Sequence, residues 1–82
     1  MVLFQVINPS ASLSLVSPDD AVFLRQDGVY LALQPESLPA CRLYISAQDA
    51  ADRQISPATG ITVLDDQQWV ALCLAAATVM LC

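Results

Sequence analysis

Four short runs, VLFQVI (2–7), AVFL (21–24), CRLYI (41–45) and ITVL (61–64), are dense in apolar residues and stand between segments that carry turn or helix signals. A strand with one face in water alternates apolar and polar residues, whereas a continuous apolar run reads as a strand buried on both faces. Strands of the second kind, alternating with helical segments, belong to a parallel sheet covered by helices. The predicted fold class is therefore α/β: a small three-layer domain with a mainly parallel sheet of about four strands and helices on both faces. All 82 residues are assigned to a single domain, 1–82, because a chain of this length has room for one core.

The connecting segments agree with that layout. The first run stops at Asn8-Pro9, and PSASLSLVSPDD after it offers only Leu13, Leu15 and Val16 as sizeable apolar groups, so at most a short helix fits. The second run meets VYLAL across Arg25, Gln26, Asp27 and Gly28. Asp-Gly between apolar runs is a hairpin signal, but in a parallel sheet the same corner becomes a strand-to-helix turn. Gly28 then supplies a left-handed or closely approached backbone, and Val29–Leu33 form a short helix ended before Pro35. Such a corner lies at the carboxyl end of a strand, where ligands of open α/β sheets sit.

Ser46, with Asp49 three residues on, marks a capped helix start over AQDAADRQI. Ser56, Pro57 and Gly60 mark a loop, and Asp65-Asp66 provide the cap and negative first turn of a last helix. That helix is expected to run through WVALCLAAATVMLC, from Trp69 to Cys82, where Thr78 alone is polar. A helix apolar nearly all round has more surface than one small sheet can cover, and large exposed apolar patches mark contact surfaces.

Composition points the same way: 56% of residues are hydrophobic and 13% charged, against about 25% charged in an average soluble domain. This is an interior short of surface, so partner subunits or self-association are expected. Three Arg, no Lys and eight acids give a net charge of −5, which repels phosphate backbones and argues against direct nucleic-acid contact. The apolar tail is shorter than the roughly 20 residues needed to cross a bilayer, so no membrane association is expected. The N-terminal stretch lacks the basic residues of a secretory signal, so a cytoplasmic location is expected.

The same inventory limits chemistry. The absence of His excludes His-based triads, general bases and metal sites. Three cysteines without a close pair make neither a disulfide framework nor a zinc site, and two glycines are too few for a phosphate cradle. Asp19-Asp20 and Asp65-Asp66 each precede an apolar element, so capping accounts for them. No catalytic, cofactor-binding or metal residue is assigned.

Three stretches, AVFLRQDGVYLAL, LYISAQDAADRQI and ITVLDDQQWVAL, in that order, resemble the TusB/DsrH family of sulfur-relay subunits, small proteins of the DsrE-like α/β fold. The start VLFQVINPS also fits the family's first strand and Ser/Pro turn. The resemblance implies a non-catalytic subunit of a TusBCD-like hetero-oligomer with TusC-like and TusD-like (DsrF/DsrE-like) partners. In such an assembly persulfide sulfur passes between cysteines toward 2-thiolation of the wobble uridine of certain tRNAs; in sulfur-oxidising relatives it serves sulfur oxidation. The family's sulfur-accepting cysteine belongs to the TusD/DsrE-type subunit, in the loop after the third strand. Ser46-Ala47 occupy that place here. The cysteine of the DsrH branch's first helix has no counterpart, and the usual Arg-Gly closing the second helical region reads Arg53-Gln54, which favours the TusB-like reading.

The partner-interface candidates are Asp27, Gly28, Tyr30, Trp69 and Leu72. Two further readings stand beside this one: a thiol enzyme using Cys82 or Cys41, and a self-associating structural domain. A thiol enzyme needs its thiolate stabilised by a cation or a helix N-terminus. Cys41 and Cys73 lie in apolar segments instead, and Cys82 would end the last helix, where the dipole disfavours an anion.

Overall fold

A computed structural model describes residues 1–10, 13–34, 36, 38–56 and 60–81. Its elements are β1 (Val2–Val6), β2 (Ala21–Leu24), a 3-10 helix (Gln26–Leu33), β3 (Arg42–Ser46), α1 (Ala47–Asp52), β4 (Ile61–Leu64), α2 (Asp66–Ala75) and β5 (Thr78–Leu81). The five strands form one sheet in the order β4-β3-β2-β1-β5, and every pairing is parallel. The fold is the predicted three-layer α/β domain with one strand more than expected.

The central strand β2 shows why its sequence is apolar without interruption. Val22 and Leu24 join Phe4, Val6, Val29, Ile45, Ala50 and Ile55 in a core on one face. Ala21 and Phe23 join Leu3 and Leu64 on the other, against Trp69, Leu72 and Cys73. Successive side chains of a strand point to opposite faces, so a strand with both faces covered must be apolar at every position.

Topology decides which helix lies where. From β1 to β4 the strands step in one direction, and their connections (Leu13 and Val16, the 3-10 helix, α1) pack on a single face. The return from β4 to β5 reverses direction across the whole sheet, and right-handed crossovers then put its helix on the opposite face. Among the described residues α2 is consequently alone on that side. A helix about 10 Å across spans roughly two strands spaced about 4.8 Å apart, so one helix cannot cover five.

The single long last helix expected from Trp69 to Cys82 is not what forms. α2 ends at Ala75, and Thr78–Leu81 add a fifth strand to the free edge of β1, with the Ala77 N–H donating to the Met1 carbonyl at 3.0 Å. Ala and Leu favour helix locally, but the unpaired edge of β1 offers a row of backbone partners, and the β-branched Thr78-Val79 suits the strand. No helix therefore runs to Cys82 to give it a C-terminal dipole, and Cys82 itself lies outside the described residues.

Smaller differences follow the same logic. Cys41 lies just ahead of β3, which runs on to Ser46. The described residues between β1 and β2 form turns. Asp20 there is a turn acceptor and not a helix cap, taking the Ser17 N–H at 3.1 Å and the Val2 N–H at 3.1 Å. Pro35 and Pro57, expected to stop the 3-10 helix and to open a loop, lie outside the described residues.

At the opening corner the left-handed residue is Gln26, φ 51°, not Gly28. Gly28 is required for close approach: a Cβ there would overlap the Val6 carbonyl oxygen and sit 2.7 Å from its carbon. Gln54, φ 54°, takes the left-handed position after α1, where glycine is the ordinary choice.

Candidate functional site

The carboxyl ends of β2, β3 and β4 open on a small cleft of about 120 Å³, bordered by Phe23, Arg25, Ser46, Gln48, Asp49, Leu64, Asp65, Asp66 and Trp69. Two helices start at its rim, and each carries its own cap. Ser46 Oγ accepts the Asp49 N–H at 3.3 Å. Asp65 accepts the Gln68 N–H at 2.8 Å while the Gln68 side chain accepts the Asp65 N–H at 2.9 Å, a reciprocal box that satisfies two otherwise orphaned donors.

Phe23 and Arg25, two apart on β2 and its extension, project to the same side and both contact Trp69. The Phe23 and Trp69 rings stack with centroids 5.8 Å apart and 15° between planes, and the Arg25 guanidinium lies 4.6 Å from the Trp69 ring centroid. Arg25 Nη1 also donates to Gln5 Oε1 at 3.0 Å, and Gln5 Nε2 lies 3.9 Å from Cys73 Sγ. The chain from Cys73 through Gln5 and Arg25 to Trp69 thus ties α2 to β1 and β2. Trp69 Nε1 is buried with no hydrogen-bond partner among the described residues.

The acids around the cleft are partly committed. Asp49 Oδ2 accepts the Gln26 N–H at 2.7 Å, which holds the left-handed corner, and Asp49 Oδ1 lies 3.8 Å from Arg53 Nη1. Arg53 in turn donates Nε and Nη2 to Asp27 Oδ1 at 3.3 and 3.1 Å, joining α1 to the 3-10 helix. The arrangement offers one stacked cation and a rim of acceptors, with the Ser46 hydroxyl already engaged in capping.

The two described thiols lie elsewhere. Cys41 stands before β3 and Ser46 ends it, so they occupy opposite ends of the strand, on the order of 16 Å apart at about 3.3 Å per residue. Cys73 packs on the sheet beneath α2. Burial pushes both thiols above their ordinary pKa; Asp20 adds to this at Cys41, whereas Arg25 opposes it at Cys73. A thiol raised in this way carries little of the nucleophilic thiolate at neutral pH.

The five interface candidates do not share one surface. Asp27, Gly28 and Tyr30 belong to the 3-10 helix on one face, where Asp27 is paired with Arg53, Gly28 is buried against β1 and Tyr30 is exposed. Trp69 and Leu72 belong to α2 on the other and face inward onto the sheet. What α2 turns outward is Val70 and Leu74, and β5 adds exposed Val79, Met80 and Leu81. The apolar character of 69–81 signals such a surface, but only the inward side of α2, set by residues 69, 72 and 73, shows which of its residues remain free.

Among the described residues no helix is long and apolar enough to cross a membrane. A protein-family model described as "DsrH like protein" matches residues 4–79. No individual curated protein matches the chain.

Proposed function

The chain belongs to the DsrH-like protein family, a family of sulfur-relay-related subunits, and from that premise we propose that it is a non-catalytic member of a TusBCD-like complex. It supports, without itself carrying, the persulfide sulfur on its way to 2-thiolation of a tRNA wobble uridine. TusC-like and TusD-like subunits are its partners.

The observation that supports this reading most is Ser46. It ends β3 at the cleft, in the place the resemblance assigns to a sulfur-accepting cysteine in the TusD-type subunit. Its side chain is a hydroxyl spent on capping α1, and it is 8% exposed. Cys41 and Cys73 are displaced from the cleft and have raised pKa values. The outward face of α2, with Val70 at 50% and Leu74 at 82% exposure, supplies apolar surface for a partner subunit.

The test is transfer of labelled sulfur from a cysteine desulfurase through a complex reconstituted with TusC-like and TusD-like proteins. Intact masses of each subunit are then read under non-reducing conditions. Replacing Cys41, Cys73 and Cys82 together is expected to leave transfer within a few-fold of the unaltered complex, whereas removing the partner's cysteine abolishes it. A sulfur adduct on this chain that decays as product forms, with loss of transfer on replacing that one cysteine, overturns the proposal.

A further inference from the structure

β5 is an edge strand of unusual chemistry. Its four residues are all exposed, and among the described residues it is paired on one side only, to β1. Native edges are commonly protected by Lys, Pro or a bulge. Thr78-Val79-Met80-Leu81 has no such residue, and no charged side chain occurs anywhere from 67 to 81.

The direction of its backbone groups follows from the ladder. In a parallel pair, alternate residues of a strand turn both N–H and C=O to the same neighbour. The Ala77 N–H donates to the Met1 carbonyl, so residues 77, 79 and 81 address β1. Thr78 and Met80 therefore turn their N–H and C=O outward. These two residues are placed symmetrically about Val79.

From this geometry we propose that β5 pairs antiparallel with β5 of a second copy of the chain, across a two-fold axis through Val79. In that register Thr78 faces Met80 of the second copy and Met80 faces its Thr78. Each pair exchanges two N–H···O=C bonds, so every outward group of both residues is satisfied. Val79 meets its own counterpart as a non-hydrogen-bonded pair, where side chains approach most closely. Val79 is in register with Leu3 and so lies on the α2 side of the sheet. The contact there is between two valines.

Charge also favours a second copy. A chain of net charge −5 repels its duplicate wherever acids meet, but the acids lie outside 67–81, and the axis brings together uncharged residues alone. The pairing makes one continuous ten-stranded sheet from two domains. It leaves the cleft at the carboxyl ends of β2, β3 and β4 open and does not depend on the role proposed for Ser46.

The experiment compares the full chain with three variants by sedimentation equilibrium. Wild type is expected to be a dimer. Met80→Pro removes an N–H that β1 does not use, and is expected to give a folded monomer. Val79→Glu and Val79→Lys each place like charges on the two-fold and should be monomeric alone, whereas an equimolar mixture re-forms a dimer. This charge exchange decides the matter even where Met80→Pro disturbs the fold. A monomeric wild type, a dimer that survives both charge variants, or a mixture that fails to associate overturns the proposal. Capture of a foreign strand on β5 without self-association does so as well.

Discussion

The guanidinium of Arg25 lies 4.6 Å from the Trp69 ring centroid, 44 positions along the chain and on the far side of the β4 crossover. The contact is one layer of a stack in which Trp69 also covers Phe23, and Gln5 fixes the guanidinium from the side. A cation over an indole stabilises by about 0.5–2 kcal/mol according to its desolvation. Arg25→Gln is expected to cost about that much and to shift the fluorescence of the single tryptophan. Arg25→Lys should recover only part of it, since an ammonium has neither the flat face nor the fork of donors. Urea titration followed by Trp emission measures both. Identical midpoints for wild type and Arg25→Gln would show that the stack contributes nothing.

At the neighbouring corner two residues are expected to respond in opposite directions. Gly28→Ala forces a methyl into the Val6 carbonyl, and overpacking of this kind costs about 1–3 kcal/mol. Gln26→Gly relieves a left-handed backbone worth about 1 kcal/mol or more and keeps the N–H that Asp49 accepts. Part of that gain is offset by the larger entropy of the unfolded chain, about 0.4–1 kcal/mol, so the variant should be neutral or slightly stabilised. A chemical denaturation series in which Gly28→Ala is tolerated would refute the close approach.

The pH dependence is carried in part by Asp20. The Ser17 and Val2 amides hold its carboxyl below the ordinary aspartate value. Because the folded-state pKa is the lower one, the stabilisation is fully present above the unfolded value of about 3.9 and is lost as pH falls through the folded-state value. Asp20→Asn should therefore be less stable than wild type near neutrality, with the difference closing in acid. Thermal melts from about pH 7 down to about pH 2 follow it. A gap that stays constant over the range would mean that charge has no part in the loop's hold on β1.

Much of the fold was legible because it is written in short-range patterns. β2 and β4 occupy the residues their apolar runs indicate, Ser46 caps α1 as its spacing to Asp49 implies, and Asp65 caps α2 as its place ahead of the apolar segment implies. These features depend on neighbours within one or two turns. The cleft was legible only as a location, the carboxyl ends of the strands, since nothing local pairs Arg25 with Trp69 or Asp27 with Arg53.

The stretch from Trp69 onward marks the boundary between the two kinds of information. Its composition alone determined that the segment would be apolar on more sides than this small domain can bury. Whether it would be one helix or a helix followed by a strand was decided by the open edge of β1, which exists only once the sheet has formed and which pairs with one edge of Thr78–Leu81. Helix propensity differs by tenths of a kcal/mol per residue, whereas each ladder hydrogen bond to β1 contributes about 0.5–1.5 kcal/mol net. The same inequality separates Gly28 from Gln26: the sequence announced a tight corner, but the path of β1 beside it settled which residue had to be small and which had to turn left-handed.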